Sequence, residues 1–397
     1  MKKCRLNEGL FKDIDKEIIN VDDPDYEQKV KDQTFKDFQE QDKKKKRELV
    51  YEWVCNNVYI DGQFKTGYID RDDENIMFNI DFTDSNNPII NIFASNSFPS
   101  FNKCEIMSRD HKTSRFNENG ELPYKFGFCG GSFSVISFDE KYGDPMRTCI
   151  GQLHSFKNFP NTIRGHCSVS GMNSTVPLIT TGLSTLPKNF KVEGTLAITR
   201  NMIDSVQDMP AMKVYGDIDF SGNAYIKNLK GWNPNAVFGV YSSYTEDDNH
   251  IASIIFSGCN QLESIADLPN GFTCYKLDLQ NCHIEDGRGF PIGLSADQID
   301  LHRNCLTAEG LYKYPFPKDL KAEYIRIDTQ RFYSAKDSAF SPNSYGLCTI
   351  EFSDVKKYPI SIPSGVRSIN IFGNGRTEEK HDLRSKNCKE YFKWLDQ

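Results

Sequence analysis

One pattern limits what this chain can fold into. A short unit, apolar-x-apolar followed three residues later by Asn or Cys, returns at near-regular intervals. In its clearest copy Ile299 and Leu301 are the apolar pair, Asn304 is the turn residue and Leu306 follows. Other copies are Leu196, Ile198, Asn201 and Ile203; Ile218, Phe220 and Asn223; Ile254, Phe256 and Cys259; and Leu277, Leu279, Cys282 and Ile284. Weaker copies follow at Ile325, Ile327 and Gln330, at Ile350, Phe352 and Val355, and at Ile369, Ile371 and Asn374. Successive copies start 19 to 26 residues apart, except for one interval of 36 between Ile218 and Ile254. Leucine-rich repeats have roughly this period, about 20–29 residues. The long interval predicts an insertion near Trp232–His250.

The spacing has a physical basis. Each unit supplies two inward apolar residues on a short strand. An Asn or Cys then turns the chain, and its side chain bonds the backbone of the neighbouring turn. One unit cannot bury its apolar side alone, so units must stack. Pro160, Pro187, Pro210, Pro269, Pro291 and Pro363 each follow an apolar residue. Proline there suits tight turns on the convex side, where no backbone donor is needed. The expected fold is α+β, a leucine-rich-repeat-like β-solenoid with its first unit near Leu122. An irregular β-sandwich, which also has short strands and turns, is the competing architecture.

The flanks read differently. Residues 1–57 form a charged segment, helical over Asp25–Asn57, where Val30, Phe35, Phe38, Leu49, Val50, Trp53 and Val54 fall at three-to-four spacing. The basic run Lys43–Arg47 reads as a solvated helix face. Residues 58–120 form a β-rich cap, with Asp61-Gly62 as a hairpin signal. The solenoid spans 121–377. Residues 378–397, with Leu383, Tyr391, Phe392, Trp394 and Leu395 on one side, are expected to form a C-terminal capping helix.

Two segments carry a family resemblance. They are Leu122-Pro-Tyr-Lys-Phe-Gly-Phe-Cys-Gly-Gly-Ser-Phe133-Ser-Val135 and Leu153-His-Ser-Phe156-Lys-Asn-Phe159-Pro160, which runs on through Ile163, Gly165, Cys167 and Val169 to Asn173. Both resemble repeats of the irregular leucine-rich-repeat-like proteins encoded by tailed bacteriophages. The resemblance covers roughly residues 120–375. It implies a repeat stack preceded by a short helix and a β segment, acting in an infected cell, and it transfers no catalytic residue.

Composition and motifs exclude several functions. The net charge of -7 argues against non-specific nucleic-acid binding, which needs clustered Lys and Arg. No apolar run is long enough for a membrane helix, and no secretory signal follows Met1. The twelve cysteines form no CxxC pair, so reduced thiols buried as small apolar groups are expected. Cys259, Cys282 and Cys305 follow the repeat register at intervals of 23. None of the seven histidines forms an HxxxH pair or adjoins a nucleophile motif, and P-loop, GxGxxG and GxSxG sequences are missing. The acidic run Asp70–Glu74 lacks the spacing of a calcium loop. No enzyme activity, cofactor or metal is expected.

The informative surface is the concave one. Residues between each inward pair face outward, and this column reads Ala197, Asp219, Ile255, Asp278, Asp300, Arg326, Glu351 and Asn370. Its flanks add Asp217, Tyr324 and Asp328. Asp217, Asp219, Asp278, Asp300, Tyr324, Arg326, Asp328 and Glu351 are therefore the candidate contact residues of an acidic stripe suited to a basic protein partner. The functional expectation is a non-enzymatic interaction protein in the host cytoplasm during infection. The alternative is a structural component of the virus particle, in its tail, its head decoration or its interior.

Overall fold

The computed structural model describes residues 25–62, 65–93, 103–109, 114–137, 153–171, 182–239, 252–328, 360–366, 369–372, 380–381 and 392–394. They form an α+β structure of mostly parallel sheets with few helices. Contacts divide the chain into two units, residues 1–51 and 52–397.

A single helix, Tyr26–Asn57, runs across that boundary. In the first unit Phe35 is 62% and Phe38 68% exposed. The basic run lies on this helix, and Lys46 pairs with Asp42 one turn earlier at 2.7 Å. In the second unit the helix ends against the sheets. The Trp53 ring meets Tyr124 and Phe126 edge-on at 5.7 and 6.1 Å.

The second unit is built on two sheets that the chain visits alternately. A long sheet has fourteen strands among the described residues, and a short sheet has seven. Thr162–Ile163 lies in the short sheet and Cys167–Gly171 in the long one. The pairs Lys191–Val192 and Leu196–Thr199, then Lys213–Val214 and Ile218–Asp219, repeat the arrangement. Each strand pairs in parallel with its counterpart one unit on. The inward residues therefore stack in columns. Cys167, Leu196, Ile218, Ile254, Leu277, Ile299 and Ile325 are in register and at most 1% exposed. Val169, Ile198, Phe220, Phe256, Leu279, Leu301 and Ile327 are all 0% exposed. Burying each such side chain contributes about 1.5–3 kcal/mol, none of it available to a unit standing alone.

The turn after five of the long-sheet strands is closed by the Asn/Cys position. Asn201 Nδ2 donates to Val169 O at 3.1 Å and Asn223 Nδ2 to Ile198 O at 2.7 Å. Cys259 Sγ donates to Phe220 O at 3.3 Å, Cys282 Sγ to Phe256 O at 3.2 Å and Asn304 Nδ2 to Leu279 O at 2.7 Å. Each side chain thus satisfies a carbonyl of the preceding unit. Asn and Cys interchange because the position needs one short donor. Burial pushes the Cys259 thiol up to about 12, so it keeps the proton it donates.

A column of glycines lines the corner between the sheets. Gly194 N donates to Gly165 O at 3.0 Å and Gly216 N to Gly194 O at 3.1 Å. A Cβ on Gly216 would lie 2.8–2.9 Å from the backbone of Gly194 and Thr195, so successive corners approach too closely for any side chain. From Thr273 onward the corner disappears, and one continuous strand, such as Ser295–Leu301, serves both positions. Away from the long-sheet strands the Pro positions sit in single turns. Leu186 N donates to Leu183 O, and Phe190 N donates to Pro187 O.

Several expectations need correction. The parallel stack begins before Leu122: Lys103–Ile106 already pairs in parallel with Ser132–Ser137. Ahead of it, Val58–Asp61 and Thr66–Tyr68 form the hairpin signalled by Asp61-Gly62. Trp232 belongs to its unit's core at 5% exposure, and Val237–Phe238 pairs with Lys213–Val214. The rest of the expected insertion, residues 240–250, lies outside the described residues. Ile325 pairs directly with Ile369. Residues 350–355 lie outside the described residues, as do Gln330 and Asn374. The C-terminal helix is also not what the described residues form: Lys380–His381 and Phe392–Trp394 are strands. Phe392-Lys393-Trp394 alternates apolar and charged residues with strong β preference, and it pairs in parallel with Ile360–Ile362.

Candidate binding face of the long sheet

The outward column of the long sheet is continuous in register. It passes from Tyr59 through Glu105, Ser134, Ser168, Ala197, Asp219, Ile255, Asp278, Asp300 and Arg326 to Asn370. The structure thus brings Asp219, Asp278, Asp300 and Arg326 into one row. Arg326 neighbours Asn370 directly, and Glu351 lies outside the described residues. Asp328 ends its strand opposite Phe372. Tyr324 lies beside Gln298 and Lys276 in the adjoining row and is half-buried.

The acids do not stand open as a uniform stripe. Asp278 and Asp300 are only 6% and 7% exposed. Lys276 Nζ lies 2.8 Å from Asp278 Oδ2. Gln280 Nε2 donates to both carboxylates at 3.2 Å. His302 Nδ1 is 2.8 Å from Asp300 Oδ1, and Arg326 Nη1 is 3.9 Å from Asp300 Oδ2. Burial resists ionisation of Asp300, but the His302 ring and N–H and the Arg326 charge outweigh it, and its carboxyl is held below the usual range.

The same carboxylates also serve the backbone. Asp219 Oδ1 accepts Ser221 N at 2.8 Å, Asp278 Oδ1 accepts Gln280 N at 3.1 Å and Asp300 Oδ1 accepts His302 N at 3.1 Å. Asp217 Oδ1 accepts Ser253 N from the next unit at 2.7 Å. Four of the candidate contact residues are thereby structural as well as charged. In three of the five units with an Asn or Cys turn residue, an Asp four residues earlier caps the strand end. Asp219, Asp278 and Asp300 each precede the turn residue by four. That spacing was visible in the sequence and is a signal for a cap.

Among the described residues no group of three or more His, Cys, Asp or Glu is arranged to hold a metal ion. The run Asp70–Glu74 forms a short turn in which Asp73 bonds Lys65 and the Asp70 N–H. Eight cysteines are described and all are free. Cys104, Cys129, Cys167, Cys259, Cys274 and Cys282 are buried. The Cys129 side chain, and then burial, push the Cys104 thiol well up. Cys305 departs from the expected thiol column: Asn304 holds the turn position, and Cys305 sits one residue further on, half-buried. No helix of the described residues is long and apolar enough to cross a membrane. Compared with known proteins, the chain matches no family model, no curated protein and no solved structure.

Proposed function

We propose that the chain is a non-enzymatic binding protein, a leucine-rich-repeat-like solenoid that offers the outer face of its long sheet to a protein partner. The observation that carries this reading is the unbroken register of that face from Tyr59 to Arg326. A row of side chains at strand spacing, about 4.8 Å, matches another surface better than it encloses a small molecule. Because Asp278 and Asp300 are buried and matched by Lys276, His302 and Arg326, net charge is a minor part of recognition. The contact falls on the half-exposed Lys276, Gln298, Tyr324 and Arg326 and on Tyr275, which is 41% exposed. Aromatic and Arg side chains of this kind dominate the energetics of interfaces. By the resemblance to phage repeat proteins, the partner is a host or phage protein met in an infected cell.

The test is affinity capture from infected cells with three forms of the chain. The unaltered chain and Lys213→Ala, a change on the short sheet, are expected to hold the same partner. The double variant Tyr324→Ala with Arg326→Ala is expected to lose it. Equal capture by all three would place the contact elsewhere, and capture of nothing specific would refute a binding role. A second reading, a component of the virus particle, is favoured by Phe35 and Phe38, whose exposure on the N-terminal helix suits burial in an assembly. Purified particles lacking the chain by mass spectrometry would exclude it.

A further inference from the structure

The sequence shows no histidine beside a nucleophile, yet the fold builds such a pair. Cys305 follows the turn that ends Ser295–Leu301, and His283 follows the equivalent turn one unit earlier. Stacking of the two turns sets Cys305 Sγ 3.3 Å from His283 Nδ1. The opposite ring nitrogen, Nε2, lies 3.6 Å from Glu285 Oε1. A thiol, an imidazole and a carboxylate are therefore in line, with the carboxylate placed to orient the ring. The thiol and the carboxylate approach opposite nitrogens of the ring, so one metal ion could not be shared by all three groups. The His283 and Glu285 side chains are 38% and 64% exposed and Cys305 is half-buried, so small molecules reach the pair.

We propose that Cys305 is a modification site that takes low-molecular-weight disulfides by thiol–disulfide exchange, with His283 as its general base and Glu285 positioning His283. Burial and the Glu285 carboxylate push the Cys305 thiol up to about 11, so near neutrality the sulfur still carries its proton. That proton must leave before the sulfur attacks, because the thiolate is the nucleophile. His283 Nδ1 accepts it as Sγ bonds to one sulfur of the incoming disulfide. The disulfide's S–S bond breaks, and its electron pair leaves on the second sulfur. His283 returns the proton to that departing thiolate. The products are a mixed disulfide on Cys305 and one free small thiol; the incoming disulfide is the only oxidant.

Cys55 is the internal control. It is the other half-buried thiol described, and it faces Asp70, Arg109, Arg71 and Asp73 in place of an imidazole. The experiment incubates the full chain with oxidised glutathione and follows adducts peptide by peptide by mass spectrometry. Cys305 is expected to react at least tenfold faster than Cys55. His283→Gln is expected to slow Cys305 by roughly 100-fold, the size of a general-base contribution, while the circular dichroism spectrum is unchanged. Glu285→Gln is expected to give an intermediate rate. The pH profile of the unaltered chain separates base catalysis from packing. Its rate should rise and then level off well below about 11, where the thiol itself ionises. A rate that instead climbs tenfold per pH unit throughout, as for an unassisted thiol, overturns the proposal. So does equal reaction of Cys305 and Cys55, or a folded His283→Gln chain that reacts as fast as the original. Should His283→Gln fail to fold, the pH profile and Glu285→Gln decide the matter.

Discussion

Replacing Asn223 tests the physical account of the repeat most directly. Asn223 is 0% exposed and makes three side-chain hydrogen bonds. Its Nδ2 donates to Ile198 O and to Phe220 O, both at 2.7 Å, and its Oδ1 accepts Asn201 N at 3.0 Å. Two of these bonds reach the preceding unit, so the side chain both closes its own turn and fastens it to a neighbour. Asn223→Ala removes all three and leaves their backbone partners buried. A typical bond is worth about 1 kcal/mol net, and a buried group left without a partner costs about 1–3 kcal/mol. The expected loss is about 3–5 kcal/mol, a large part of a domain's stability. Asn223→Cys is the discriminating companion. A thiol there retains the donor to the preceding carbonyl, as Cys259 does toward Phe220 O at 3.3 Å, and loses the acceptor for Asn201 N. Its expected cost is about 1–2 kcal/mol. Urea unfolding followed by circular dichroism gives both values, provided the slopes with denaturant agree. The reasoning is wrong if the two variants fall within about 0.5 kcal/mol of each other, since the column would then select for size alone. It is also wrong if Asn223→Ala costs under about 1 kcal/mol.

Two further outcomes follow from the geometry. Gly216→Ala should destabilise the chain by about 1–3 kcal/mol in the same assay, because the added methyl meets the Gly194 and Thr195 backbone, which cannot give way as a flexible side chain would; a neutral effect would mean the corners are looser than the contacts indicate. Asp300 makes stability depend on acid pH. Its carboxyl ionises at lower pH in the fold than in the unfolded chain, so its contribution is complete above the unfolded value near 4 and fades as pH falls through the lower, folded value. Asp300→Asn should therefore be less stable than the original chain at pH 6, with the gap closing below pH 4; a gap that does not change with pH would show that the charge of Asp300 contributes nothing.

Much of this architecture is legible in the sequence, because the repeat writes the same physics several times. The apolar pair, the Asn/Cys position and the outward column are all recovered in register from Leu196 to Ile327. What escapes the reading is of three kinds. Some units obey the geometry without the pattern: the strands of Cys104 and Ile106 and of Phe133 and Val135 belong to the stack, but neither has an Asn or Cys three residues on. Some positions are defined by backbone conformation and not by side-chain type. The residue before each turn residue has positive φ, and it is Arg200, Gly222, Gly258, Asn281 or Arg303. Only the glycines and the asparagine announce that requirement; a left-handed Arg is held by the turn around it, at a cost of about 1–2 kcal/mol. Finally, contacts between units are invisible at the level of one unit. Cys305 and His283 are 22 residues apart and come together only because the turns stack.

The same logic changes how the acids of the outward column are understood. A carboxylate that recurs on an exposed sheet face invites a partner of opposite charge. Here the recurrence has a nearer cause. The N–H two residues beyond Asp219, Asp278 and Asp300 points back at the strand end, and each carboxylate accepts it. Short polar side chains favour such local bonds wherever a strand gives way to a turn. A position where an acceptor helps close the turn will therefore favour Asp, as in three of these units, with or without anything to bind. The two causes can be separated, because Asn retains the acceptor oxygen and loses the charge, whereas Ala loses both. If the triple change to Asn at Asp219, Asp278 and Asp300 leaves partner capture intact while the triple change to Ala unfolds the chain, the column is a row of turn caps and recognition belongs to Tyr324, Arg326 and their exposed neighbours. If the triple Asn chain is folded and loses its partner, charge on this face is read directly, and the pairing of Asp278 with Lys276 and of Asp300 with Arg326 must open when the partner binds.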